Sequence, residues 1–135
     1  MKGWMLAGAL ILTLTGCGRQ EAQVLNLYNW SEYMPQEVLD RFTQETGIKV
    51  IYTTYDSNEA LYARLKLLDD SSPYDLAVPS TYYVSKMRRE GLLAPIDHSK
   101  LHGLDQIDTT LVDQAFDPGN AYSIPYLWGT TGIAV

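Results

Sequence analysis

The chain has 135 residues, enough for one ordinary domain, and its formal net charge at pH 7 is −6. This acidic balance argues against a nucleic-acid partner and favours a cationic ligand, although many soluble proteins are mildly acidic for solubility alone. The single cysteine excludes an internal disulfide, and the ten tyrosines favour a surface or cleft that needs apolar faces with polar tips.

Residues 1–16 have the features of a targeting segment. Lys2 gives a positive start, and Met5–Leu14 is an apolar run that is shorter than the roughly 20 residues needed to span a bilayer. The run ends in Leu-Thr-Gly-Cys, which resembles a bacterial lipobox, so Cys17 is the expected lipidation site and residues 17–24 the expected lipidated tether. The alternative is an ordinary signal peptide with a chance cysteine.

Strand and helix patterns alternate after this segment. The predicted strands are centred on three apolar runs: Leu25–Leu27, Ile48–Tyr52 and Tyr74–Val78. Each run is followed by a predicted helix: Pro35–Thr46, a helix capped at Asp56-Ser57-Asn58, and Val84 to Gly91. The third strand is nearly all apolar, which predicts burial on both faces. This alternation predicts an α/β fold with a parallel sheet and flanking helices.

The last third of the chain has weaker signals. Residues 92–104 predict a loop, Asp105–Gln114 a short helix, and Phe116–Asn120 a strong turn. Two strand segments are predicted after the turn, over Ala121–Pro125 and Tyr126–Val135.

Similar side chains follow two of the predicted strands. Trp30, Ser31 and Tyr33 lie where the first strand gives way to a helix, and Ser80 and Tyr82 follow the third strand. Ligands of open α/β sheets bind just outside the carboxyl ends of strands, where an indole, phenols and hydroxyls stack on a ligand and orient it. The alternative is that the aromatic rings only cover the core, because aromatic clusters belong to cores more often than to sites.

Four stretches of the sequence, in order, resemble the bacterial spermidine/putrescine-binding protein family, whose members are periplasmic solute-binding subunits of polyamine ABC transporters. They are residues 28–33, 45–50, 74–83 and 123–132. The resemblance implies a type II periplasmic-binding-protein fold, with two lobes and the ligand in the cleft between them. It also implies permease subunits as partners, a membrane contact through the lipid anchor, a periplasmic location and a monomer.

The resemblance further implies that Trp30, Ser31, Tyr33, Ser80 and Tyr82 line the ligand cleft. Aromatic faces attract ammonium groups and cover the methylene spacers of a polyamine, and hydroxyl oxygens accept hydrogen bonds from ammonium. Four other positions are left out of this set: Tyr83, which is expected to point away from its neighbour, Trp128, which has weaker support, and the local carboxylates of Glu32 and Asp75.

Members of the family are much longer than this chain. We therefore expect residues 25–135 to form an incomplete N-terminal lobe, without the second lobe that supplies most acidic anchors in the family. The expected function is polyamine binding, impaired by this truncation. The alternatives are binding of another cationic small molecule and a non-functional remnant.

Enzyme activity is not expected, because the sequence lacks a GxSxG motif, a phosphate-binding loop and a paired nucleophile and base. No catalytic residue and no cofactor are therefore assigned. His98 and His102 are four residues apart, but a glycine follows directly, and no metal site is expected there.

Overall fold

The computed structural model describes residues 23–68, 71–130 and 132–133, so the targeting segment and Cys17 lie outside the described residues. Strands and helices alternate in the order β1 (Val24–Trp30), α1 (Gln36–Thr46), β2 (Lys49–Tyr55), α2 (Asn58–Leu68), β3 (Leu76–Ala77) and α3 (Thr81–Arg89). The strands form one sheet in the order β2–β1–β3, and both pairings are parallel. The predicted α/β class with a parallel sheet and flanking helices is confirmed.

The helices begin and end at residues with clear local signals. Gly47 ends α1 in the left-handed conformation, with φ 73°, and its N–H donates to the Thr43 carbonyl over 2.9 Å. Ser57 caps α2, because its hydroxyl accepts a hydrogen bond of 3.1 Å from the Ala60 backbone N–H. Gly91, also at φ 73°, follows two residues after the end of α3.

The sheet pairs unevenly along its two ladders. β1 pairs with β2 along its whole length, whereas β3 pairs with β1 only through Leu76 and Ala77. The prediction that the third strand is buried on both faces is wrong, since Leu76 is 53% exposed. Among the described residues β3 is an outer strand of the sheet, so one of its edges has no neighbouring strand.

The core lies between the sheet and the helices α2 and α3. Its buried cluster consists of one residue of β1, one of β2, two of α2 and one of α3: Tyr28, Tyr55, Leu61, Leu65 and Met87. The Tyr28 ring meets Tyr55 edge to face at 4.9 Å between centroids and stacks on Tyr74 at 4.3 Å. Burial raises the pKa of both Tyr28 and Tyr55, so both phenols stay neutral at physiological pH.

Beyond α3 the chain forms turns. Short 3₁₀ turns occur at His98–Lys100, Leu104–Gln106 and Pro118–Asn120, so the predicted turn over Phe116–Asn120 is confirmed. The predicted helix over Asp105–Gln114 is wrong. The Asp108 carboxylate accepts hydrogen bonds from the Thr110 N–H and hydroxyl at 2.8 and 2.7 Å, which stabilises a local turn instead of a helix.

The strands predicted over Ala121–Val135 are also wrong for the residues described there, since 121–130 and 132–133 are not in strands. Strand propensity is realised only against a partner strand. This segment instead meets a loop and a turn. The Ile96 N–H donates to the Ala121 carbonyl over 2.8 Å, and the Tyr126 hydroxyl donates to the Tyr33 carbonyl over 2.6 Å.

None of the helices in the described ranges has the length and apolar character that crossing a bilayer requires.

Candidate functional site

The three parallel strands end at one side of the sheet, which we call the carboxyl edge. Trp30 ends β1, Tyr55 ends β2, and Val78 follows β3 directly. The Val78 carbonyl oxygen accepts a hydrogen bond of 2.9 Å from the Trp30 indole N–H and a second bond from the Tyr55 hydroxyl. A single backbone oxygen therefore joins the ends of all three strands.

The Trp30 ring lies partly in the core and partly at the carboxyl edge. It packs against the buried Tyr55 ring at 4.8 Å between centroids and approaches the Tyr33 ring at 6.0 Å. Its backbone carbonyl accepts a hydrogen bond of 2.8 Å from the Tyr52 hydroxyl. Tyr33 is 45% exposed. Trp30 is thus partly buried against the core, whereas Tyr33 faces outward.

Ser31 and two carboxylates stand beside these rings. The Ser31 hydroxyl is exposed and points to Asp56 Oδ1 over 3.5 Å, a long hydrogen bond. Glu32 is exposed and adopts a left-handed backbone conformation with φ 61°. Sequence reasoning used Asp56 only as a possible helix cap. Its place directly after β2 is the signal that would have put it at the carboxyl edge.

Ser80 and Tyr82 reach the carboxyl edge from the start of α3, and both are bound by Asn58. The Asn58 side-chain oxygen accepts from the Ser80 N–H over 2.9 Å. Its side-chain nitrogen donates to the Ser80 hydroxyl over 2.9 Å and to the Tyr82 hydroxyl over 3.0 Å. The Tyr82 ring is nevertheless 62% exposed. Sequence reasoning missed these contacts, because it treated Asn58 only as part of a helix cap.

Tyr83 does not point away from Tyr82 as predicted, since their ring centroids are 5.0 Å apart. Tyr83 also packs against Tyr62 at 5.8 Å, and its hydroxyl donates to Glu59 over 3.2 Å. Burial and the neighbouring Glu59 carboxylate raise the pKa of the Tyr83 phenol. This residue therefore belongs to the contact between α2 and α3.

Asp75 and Trp128 are the two remaining candidate positions. The Asp75 carboxylate accepts hydrogen bonds from the Asn26 N–H and side-chain amide at 2.7 and 3.1 Å, at the amino end of β3. It is therefore at the opposite end of the strand from the carboxyl edge. Trp128 is exposed, and its segment is linked to the edge by the bond from Tyr126 to Tyr33.

The charged residues in the segments at the strand ends have one sign. The segments 30–37, 55–59 and 78–82, which follow or end the three strands, contain no lysine or arginine. They contain four acidic residues: Glu32, Glu37, Asp56 and Glu59. Glu37 and Glu59 lie in first turns of helices, where they also offset the helix dipole. The edge thus combines aromatic faces, hydroxyls and negative charge, a set of groups suited to a cation.

Comparisons with known proteins agree on one family and one kind of relative. The family model described as "Hypothetical lipoprotein (MG045 family)" matches residues 2–116. The spermidine/putrescine-binding periplasmic protein of Escherichia coli is 51% identical over 139 residues, covering 100% of this chain and 40% of that protein. The putrescine-binding periplasmic protein SpuD of Pseudomonas aeruginosa is 45% identical over 131 residues, covering 92% of this chain and 35% of that protein.

A solved structure is similar in both sequence and fold. It is the spermidine/putrescine ABC transporter substrate-binding protein PotD of Streptococcus pneumoniae, with 50% identity and a TM-score of 0.76 over 79% of this chain and 32% of that chain. The resemblance inferred from the sequence is therefore confirmed. These relatives are substrate-binding transport proteins, not enzymes. The chain spans 40% and 35% of the lengths of the two curated relatives named above.

Proposed function

The chain belongs to the hypothetical lipoprotein (MG045) family, and from this premise we propose that it binds a polyamine, spermidine or putrescine, as part of the solute-binding component of an ABC transporter. The names of its relatives support this proposal, since several bind one or both of these polyamines. The observation that carries it is the composition of the carboxyl edge. There the Val78 carbonyl joins the strand ends, and the segments that end or follow the strands contain four carboxylates and no lysine or arginine.

In this proposal the ligand lies along the carboxyl edge and contacts Trp30, Ser31, Tyr33, Ser80 and Tyr82. An ammonium group over an aromatic face gains about 0.5–2 kcal/mol, and the same faces cover the methylene spacers. The serine and tyrosine hydroxyls accept hydrogen bonds from the ammonium groups. Carboxylates at the edge add charge-assisted bonds, which are about twice as strong as neutral ones.

The proposed location is the periplasmic side of the membrane, with a lipid on Cys17 as the anchor and permease subunits as the receiving partners. Membership of a lipoprotein family and the periplasmic relatives support this. A different cationic small molecule would use the same charges and rings, but no relative named above favours one.

Calorimetric titration of spermidine, and then of putrescine, into the purified chain tests the proposal. We expect saturable heat with micromolar affinity, and a large loss of affinity for Trp30→Ala. The neutral diol 1,4-butanediol is the matched control ligand, because it keeps the carbon spacing of putrescine and lacks its charge. A folded chain that gives no heat with either polyamine, or equal heat with the diol, would contradict the proposal.

A further inference from the structure

Asn58 is a buried side chain that binds two candidate ligand-binding residues at once. It is 5% exposed, and its carboxamide makes three hydrogen bonds, two to Ser80 and one to Tyr82, each between 2.9 and 3.0 Å long. We infer that Asn58 is a positioning residue, which holds the Ser80 and Tyr82 hydroxyls in the orientation that receives the ligand. This inference rests on the proposed polyamine function.

The orientation of the carboxamide follows from its partners. A backbone N–H only donates, so the Asn58 atom 2.9 Å from the Ser80 nitrogen must be the side-chain oxygen. The amide nitrogen then faces the two hydroxyls, and each of its two hydrogens serves one of them. The Ser80 and Tyr82 oxygens each give one lone pair to Asn58 and keep a second one. That second lone pair is available to an ammonium donor.

Packing against Tyr83 covers only part of Tyr82, which is 62% exposed. Without the bond from Asn58, the Tyr82 side chain would have to be ordered when the ligand binds. Ordering a side chain of this kind on binding lowers affinity by about three- to tenfold. Asn58, at the start of α2, orders the Tyr82 side chain before the ligand binds. It also holds the Ser80 backbone at the start of α3.

A double-mutant cycle separates positioning from a general loss of stability. Spermidine is titrated into the unchanged chain, Asn58→Ala, Tyr82→Phe and the double variant. We expect Asn58→Ala to weaken binding about tenfold in the unchanged background and clearly less beside Tyr82→Phe, because part of its effect passes through the Tyr82 hydroxyl. Asn58→Ser serves as a second variant, since it keeps a polar group that is too short to reach all three partners.

Tyr62→Phe is the matched control. It also removes a side-chain hydrogen bond from α2, the 2.6 Å bond from Tyr62 to Glu90, but it lies away from the carboxyl edge, and we expect the affinity to stay within about twofold.

If the unchanged chain binds no polyamine, the proposed function fails and this inference fails with it. If the unchanged chain binds and the Asn58 variants bind equally well, or the effects of Asn58→Ala and Tyr82→Phe simply multiply, only this inference is overturned. Failure of both Asn58 variants to fold would also overturn it, because Asn58 would then be a structural residue.

Discussion

The Trp30 indole N–H donates to the Val78 carbonyl oxygen over 2.9 Å, and this bond ties the end of β1 to the end of β3. Val78 stands two residues before Ser80. The bond therefore also limits the distance between Trp30 and Ser80 across the candidate site. The Tyr55 hydroxyl shares the same acceptor and adds the end of β2. The geometry of the site thus depends on backbone and core contacts as well as on the exposed groups.

Trp30→Ala is expected to weaken spermidine binding by about tenfold or more, since it removes both a cation–π face and the bond to Val78. Tyr83→Ala is the comparison, because Tyr83 packs between α2 and α3. Calorimetric titration of both variants measures the difference. An equal or larger loss for Tyr83→Ala would mean that other residues face the ligand.

Two aspartates at different places on the sheet make a second matched pair: Asp56 follows β2, and Asp75 precedes β3 beside Asn26. Asp56→Asn removes a charge at the carboxyl edge, and we expect it to weaken spermidine binding about threefold at low salt, with a smaller effect at high salt. Asp75→Asn removes a charge at the amino end of β3, where the carboxylate binds Asn26, and should leave the affinity unchanged. Titration at two salt concentrations tests the pair. A larger effect from Asp75→Asn would place the ligand elsewhere.

Stability should fall in acid partly through Glu90. Hydrogen bonds from Tyr62, Lys66 and Lys86 lower the pKa of its carboxyl from 4.5 to about 2. A depressed folded-state pKa gives stability that is fully present above the unfolded-state pKa and is lost as pH falls toward the folded-state value. The free energy of unfolding contributed by Glu90 should therefore decline from pH 4.5 to about pH 2.

Urea unfolding of the chain and of Glu90→Gln at about pH 5 and about pH 3 measures this decline. Glu90→Gln should lose less stability between these two values than the unchanged chain. Glu45→Gln is the control, since Glu45 makes only an exposed ion pair of 3.9 Å with Arg41. If the free energy of unfolding falls equally between these pH values in the unchanged chain and in Glu90→Gln, Glu90 is not a source of the loss of stability in acid.

Gly47→Ala should destabilise the chain by about 1 kcal/mol, because an alanine must adopt the left-handed conformation at φ 73°. A Cβ atom at this position meets no atom within 4 Å, so the cost is conformational. Gly129→Ala is the matched control, since a Cβ there also meets nothing within 4 Å and its φ is not left-handed. Urea unfolding compares the two, and similar losses for both would show that the backbone conformation at Gly47 is not responsible.

The sequence predicts α1, α2 and α3 well because their signals lie within a few residues. Gly47 and Ser57 mark the end of α1 and the start of α2, and both act as their residue types suggest. The five candidate ligand-binding residues were placed at strand ends by the same local signals, and the carboxyl edge gathers them. Whether they contact a ligand stays a prediction.

Apart from the helix predicted over Asp105–Gln114, which a local turn replaces, the following errors concern features that depend on distant parts of the chain. Asn58 binds residues 22 and 24 positions away, and no local pattern encodes those partners. Leu76 belongs to an apolar run of the kind found in buried strands, yet burial is decided by what lies beside the strand. The segment over 121–130 has strand-like composition, but it meets a loop and a turn.

The aromatic rings between the core and the carboxyl edge also form a path for excitation energy. Trp30 lies 4.8 Å from Tyr55, which lies 4.9 Å from Tyr28, which stacks on Tyr74 at 4.3 Å. At such separations, part of the excitation energy absorbed by these tyrosines passes to Trp30. A ligand that changes the surroundings of Trp30 should therefore change the tryptophan fluorescence of the chain without any added label, and Trp30→Phe identifies the part of that change that comes from the carboxyl edge.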